Sequence, residues 1–214
     1  ASVNRELLHL CALLESLDVK PTLLFGPEHG FAATAQDMAH VADASEAGGP
    51  EVVSLYGDSL EDLVPKEEQL SRLDLLLIDL CDVGSRYYTY VWTALIAVRA
   101  AAKVGVHCVI LDRPNPIGGE LASVEGATVR EGFGSFVGWE PVPIRHGLTL
   151  GEMVALHASA DGLPLGPDGA LSVVNLQGWE RSDYADRWDR DFVLPSPNMP
   201  TLDTAIVYPG GCLI

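Results

Sequence analysis

Positive charge is what this sequence has least of. Thirteen lysines and arginines stand against thirty aspartates and glutamates, a formal net charge of −17 over 214 residues. Such a surface repels phosphate backbones and anionic membranes, which argues against nucleic acid as a partner. No apolar run reaches the length of a membrane span, and no basic segment followed by an apolar one marks a signal peptide. The chain opens at Ala1 without an initiator methionine, as expected where a leader has been removed. Its four cysteines, Cys11, Cys81, Cys108 and Cys212, lie far apart with no CxxC spacing, and three sit in apolar runs. They read as buried thiols, not as zinc ligands. There is no GxGxxG and no GxxxxGK[ST], so dinucleotide and P-loop readings lose their main support. A GxSxG nucleophile elbow is missing too, since Gly134-Ser135 runs into Phe136-Val137. Without an HxxxH or HxH pair, a metal site would need distant residues; no metal and no cofactor are expected.

What is present is a globular composition, 48% hydrophobic and 20% charged, with a repeating order of apolar segments. Residues 5–17 place leucines and Cys11 mostly on one helical face. Residues 22–25 suit a short buried strand, stopped by Gly26-Pro27 and Gly30. The stretch 31–50, rich in Ala, Asp and Gly, reads as an irregular excursion. A strand is expected over 51–56 and a short polar helix over 65–72. The near-continuous apolar run 73–80 is of the kind found in strands covered on both faces. An alanine-rich helix over 87–104 stops at Gly105, and a further buried strand follows over 106–111. Long surface loops with a hairpin fit 118–147. Thr149 and Glu152 form a capping box for a helix over 149–158, and 171–176 is the last clear strand. The prolines of 195–200 exclude regular structure there. This alternation predicts an α/β fold, a Rossmann-like mostly parallel sheet flanked by helices. Because a helix comes first, an earlier strand is expected upstream.

Chemistry gathers where the apolar runs end. Glu28 and His29 follow the first, Asp82 and Arg86 the second, Asp112 and Arg113 the third. If those strands are parallel neighbours, the three loops share one edge of one sheet, the edge at which open α/β sheets bind ligands. Each residue also has a structural reading: Glu28 as a turn cap, His29 and the aromatics as packing, Asp82 and Asp112 as turn formers, Arg86 as a surface charge. Paired carboxyl groups beside Tyr87, Tyr88, Tyr90 and Trp92 suit glycoside cleavage, with one acid protonating the leaving oxygen. A non-catalytic sugar-binding module and an esterase or phosphatase using the same acids are the competing readings.

Five blocks sharpen this: Leu24-Phe25-Gly-Pro-Glu28-His29-Gly-Phe, Asp82-Val-Gly-Ser-Arg86-Tyr-Tyr-Thr-Tyr90, Leu-Asp112-Arg113-Pro-Asn115-Pro, Arg145-His146-Gly147 and Pro195-Ser-Pro-Asn198-Met-Pro. In composition and order, from about residue 23 to 210, the sequence resembles the bacterial DUF1343 family of NamZ-type exo-β-N-acetylmuramidases. The resemblance implies removal of terminal β-1,4-linked N-acetylmuramic acid from the non-reducing end of peptidoglycan fragments. Glu28 would be the general acid/base, and Asp82 and Asp112 contend for second catalytic group, unless the substrate's 2-acetamido group is the nucleophile. His29, Tyr88, Asn115, His146 and Asn198 would bind substrate. Arg86, Arg113 and Arg145 would hold the lactyl carboxylate, since guanidinium grips a carboxylate in bidentate fashion. The resemblance also implies a catalytic domain over 1–200, with 201–214 starting a smaller C-terminal α/β domain that is largely absent, so that the chain is truncated at both ends. A peptidoglycan substrate points to the cell envelope or the exterior, with cytoplasmic recycling as the alternative.

Overall fold

The structure is a computed structural model that describes residues 2–30, 44–45 (backbone only), 49–57 and 59–214. The expected excursion over 31–50 and Phe31 of the first block lie largely outside the described residues. Among the described residues there are six strands, all but β2 falling where apolar residues cluster: β1 Leu23–Gly26, β2 Ala44–Ser45, β3 Glu51–Ser54, β4 Leu75–Ile78, β5 His107–Leu111 and β6 Leu171–Val174. They form two three-stranded sheets instead of the single sheet expected. One has the order β1-β3-β2 and the other β4-β5-β6. β1 pairs β3 in parallel from Leu23 opposite Glu51 to Gly26 opposite Ser54, and short β2 adds to β3 antiparallel. β5 is central in the second sheet, parallel to β4 on one side and β6 on the other. The β1 and β4 edges face a shared cavity of about 790 Å³, which His9, Leu10, Cys11 and Leu14 also line.

Among the described residues, five α-helices flank the sheets: α1 Leu10–Ser16, α2 Glu67–Leu70, α3 Tyr90–Lys103, α4 Leu150–Ala160 and α5 Leu202–Gly211. α1 is much shorter than its apolar pattern predicts. Leu7 takes a positive φ of 60°, which a helix cannot accommodate, and Leu7, Leu8 and Leu17 are exposed. α3 forms as expected and is buried along nearly its whole length. It ends before Gly105, whose φ of +77° is the left-handed conformation that glycine adopts without penalty. α4 carries the expected capping box, with Thr149 Oγ1 accepting from Glu152 N–H and Glu152 accepting from Thr149 N–H. α5 occupies a segment with no predicted helix and contains Pro209. In place of the expected hairpin, 118–147 holds a tight turn between Ser135 and Gly138 and an antiparallel bridge between Glu125 and Arg145; no named strand forms there.

The core lies between α3, α4 and the β4-β5-β6 sheet, where Trp92, Leu95, Ile110, Leu150 and Met153 are all almost fully excluded from solvent. Truncating such a side chain removes transfer free energy and leaves a cavity, at about 2–5 kcal/mol for Met or Leu to Ala.

A titratable group sits at the base of this core. His157 on α4 lies beside Trp92, with its Nδ1 3.9 Å from Glu140 Oε2 and with Arg99 and Asp161 close by. Burial holds its pKa below the ordinary histidine value. The unfolded chain therefore takes up this proton first as pH falls, so His157 contributes full stability above about pH 6.5 and loses it below. His157→Gln is expected to flatten the fall in unfolding temperature between pH 7.5 and 5.5. His9, likewise pulled down by burial, keeps part of the slope. An unchanged slope in the variant would contradict the assignment.

Candidate active site

Glu28 and His29 follow β1 directly and are both buried. His29 is held at φ +70°, a backbone conformation uncommon outside glycine and concentrated at functional sites. Its ring meets Tyr90 edge-on, with centroids 6.4 Å apart. The Glu28 carboxylate accepts a hydrogen bond on Oε2 from the Thr89 hydroxyl at 2.7 Å. The Tyr90 hydroxyl donates to the Glu28 backbone carbonyl at 3.1 Å and to the Pro195 carbonyl at 3.3 Å. Tyr88 stacks on Tyr90 with centroids 4.7 Å apart and approaches Ser196. Burial pushes both phenols above their ordinary range, so both remain protonated donors at neutral pH. Three blocks of the sequence thus meet around Glu28, although β1 and β4 are not neighbours in a sheet.

Asp82 and His146 form the second focus. Asp82 Oδ2 accepts from Gly84 N–H at 3.0 Å and lies 3.1 Å from His146 Nε2. His146 Nδ1 accepts from Leu148 N–H, which leaves the ring proton on Nε2, although that N–H is directed off the line to Asp82. Asp82 Oδ1, Ser85 Oγ, Arg86 Nε and Arg145 Nε are buried with no hydrogen-bond partner among the described residues. Loop 84–86 lies against 144–145 through an Arg86 N–H to Ile144 carbonyl bond and a Ser85–Arg145 bridge. A side chain at Gly84 would collide with Asn115 and Ile117, which explains glycine at that point of the loop.

The other expected site residues have structural partners. Asp112 takes hydrogen bonds from Thr149 Oγ1 at 2.6 Å and from the backbone N–H of Gly151 and Arg113 at 2.8 and 3.0 Å. It caps the N-terminus of α4, where backbone donors are otherwise unpaired. Burial nonetheless raises its pKa against those bonds. Arg113 grips Asp79 with two nitrogens and donates to the Val3 carbonyl. Arg86 donates from one nitrogen to the carbonyls of Ala127 and Val142, both at 2.6 Å, and lies over Tyr87. Arg145 bonds the Ile117 carbonyl, Tyr184 hydroxyl and Glu125. Asn115 bridges Leu148 and Ile117, while Asn198 is exposed. Thr89 was absent from the expected set. A lone hydroxyl before a helix has no motif, and its role comes only from the approach of β1.

The capping geometry of Asp112 makes a separable prediction. Asp112→Ala is expected to destabilise the fold by about 1–3 kcal/mol, read as a lowered denaturant midpoint with unchanged slope. An unchanged midpoint would show that the cap is idle.

Comparison with known proteins identifies the family. The family model described as exo-β-N-acetylmuramidase NamZ, N-terminal, matches residues 1–203. The peptidoglycan β-N-acetylmuramidase NamZ of Bacillus subtilis (strain 168) is 41% identical over 203 residues, covering 94% of this chain and 47% of that protein. A crystal structure of a DUF1343 family protein from Bacteroides fragilis NCTC 9343 superposes with a TM-score of 0.81 at 34% identity, over 99% of this chain and 52% of that one. A second from the same organism gives 0.73 at 30% identity, over 96% and 52%. The chain therefore spans about half the length of the relatives it matches. With nearly all of its residues inside the family match, the chain belongs to the NamZ N-terminal family.

Proposed function

We propose that this chain provides the acid-bearing half of an exo-β-N-acetylmuramidase, which hydrolyses the terminal β-1,4-linked N-acetylmuramic acid at the non-reducing end of peptidoglycan fragments. What supports the reading is one observation within a NamZ family chain. Glu28 is buried at the end of β1, with Oε2 fixed by Thr89 and Oε1 without a hydrogen bond among the described residues. A carboxyl group so positioned can give its proton to the glycosidic oxygen as the C1–O bond breaks, then recover one from the water that adds at C1. Asp82 is the second carboxylate of the proposal, anchored by Gly84 and adjoining His146, with Asp112 confined to support of α4. His29, Tyr88 and Tyr90 shape the wall beside Glu28. The reading calls for no cofactor and no metal. The domain division at about residue 200 belongs to the same proposal, with α5 opening the second unit. So does an envelope or extracellular site of action. No helix among the described residues is long and apolar enough to cross a membrane.

The test uses the protein at full length and a chromogenic β-N-acetylmuramide. Glu28→Gln is expected to lower kcat about 10²–10⁴-fold with little change in KM, the usual contribution of a positioned acid. Thr89→Val should lower kcat in the same direction by about tenfold, because the carboxylate loses one net hydrogen bond. Equal turnover by wild type and Glu28→Gln removes Glu28 from the acid role. Turnover of β-N-acetylglucosaminides without muramides overturns the substrate assignment.

A further inference from the structure

With so few cations, the partner of each arginine is informative. Arg86, Arg113 and Arg145 are engaged as described above. Arg5 pairs with Asp189, Arg72 with Glu51, Arg99 with Glu140 and Asp161, and Arg181 with Glu152. Arg130 and Arg187 are exposed. Arg190 alone is half-buried and, among the described residues, has no carboxylate or carbonyl acceptor; its guanidinium lies 5.3 Å above the Trp188 ring.

Arg190 lines a cavity past the carboxyl ends of β4 and β5, together with Asn4, Cys81, Asp82, Arg113, Trp188 and Pro195. Its accessible volume is about 40 Å³, space for about three water-sized groups. That matches a carboxylate and is far too small for a sugar ring. None of the acids nearby bonds Arg190, although Asp189 offsets part of its charge. Asp79 is held by Arg113, Asp189 by Arg5, and Asp82 by the Gly84 N–H beside His146. Asp191, also on the cavity wall, is exposed and forms no ion pair with Arg190. Pro195 joins this cavity to the acid, since its carbonyl shares the Tyr90 hydroxyl with the Glu28 backbone.

We infer that Arg190 is the carboxylate-binding residue of this cavity and takes the lactyl carboxylate of the sugar whose glycosidic bond Glu28 protonates. The inference rests on the muramidase reading above. Guanidinium presents paired N–H donors that match a carboxylate, and a half-buried site strengthens the bond relative to water. Burial, and then the Arg113 charge, hold the Arg190 pKa below its ordinary value, a strain that a bound anion relieves. The same contact would separate N-acetylmuramic acid from N-acetylglucosamine, which lacks the lactyl group.

The experiment compares wild type, Arg190→Gln and Arg190→Lys at full length on a chromogenic β-N-acetylmuramide and on its lactyl methyl ester, which removes the charge and adds one methyl group. Wild type is expected to favour the acid over the ester about 10- to 100-fold in kcat/KM, mainly through KM. Arg190→Gln should bring acid and ester to the same kcat/KM, and Arg190→Lys should retain part of the preference. A wild-type acid-to-ester ratio preserved in Arg190→Gln overturns the inference while leaving the muramidase reading intact. If wild type hydrolyses neither compound, that reading fails, and calorimetric titration with free N-acetylmuramic acid decides Arg190 separately. Binding that weakens about tenfold or more in Arg190→Gln supports the site. Equal binding, or none to wild type, overturns it.

Discussion

Two hydrogen bonds from the start of α3 fix Glu28, one from Thr89 to its side chain and one from Tyr90 to its backbone. They join halves of the molecule that share no strand pairing, since β1 belongs to one sheet and the loop before α3 leaves the other. Thr89 is the N-cap of α3 yet makes no capping bond with its side chain; the hydroxyl is turned to Glu28 instead. The helix behind it is buried against α2, α4 and β5. A carboxylate in the loop after a short strand thereby acquires the rigidity of the core. Side chains supported in this way keep the geometry that proton transfer requires.

The scarce cations are braces for irregular chain. Between β5 and α4 lie nearly forty residues with no strand and only a single short helical turn, a length that usually indicates disorder or function. Backbone carbonyls there need partners, and Arg86, Arg145 and Arg181 donate to those of Ala127, Val142, Ile117 and Gly147. The forked guanidinium suits this role, because one side chain can reach two or three acceptors at once. Three of the ten arginines thus hold this loop region in place. Arg190 stands out against that pattern.

The strands other than β2, together with α3 and α4, are legible because each carries its own local signal: β-rich apolar runs, an alanine-rich helix and a capping box. What a sequence of local patterns does not carry is which strand edges pair, so one sheet was expected where two formed. α1 was overestimated because leucine periodicity continues through Leu7, whose backbone does not. α5 was missed because Pro209 and two glycines in its last turn look like a terminator. Among candidate site residues, the placement of Glu28 and His29 in a loop after a strand is readable from the glycine-bracketed turn chemistry. The arginines were misleading for a physical reason: charge type identifies a donor but not its acceptor, and the carbonyls that engage Arg86 and Arg145 come from distant loops. Asp112 shows the same ambiguity in reverse, a carboxylate at a strand end that faces the helix N-terminus following it in space.

The strand-end loops also bear costs that stability alone does not explain. A buried polar group without a partner costs about 1–3 kcal/mol, and a left-handed non-glycine backbone carries a similar strain. Asp82 Oδ1, Ser85 Oγ, Arg86 Nε and Arg145 Nε are all of the first kind, and His29 is of the second. Asp82, Ser85 and Arg86 lie on the loop after β4 and His29 on the loop after β1, with Arg145 packed against Ser85; groups of the same kinds also occur at His157, Ser172, Trp179 and Trp188 and at Leu7 and Asp18. A fold under selection for stability alone would pair these groups or replace them with apolar ones. Three such groups, on Asp82, Ser85 and Arg86, fall within five residues of one loop beside His146, a concentration that is a physical reason to propose chemistry there.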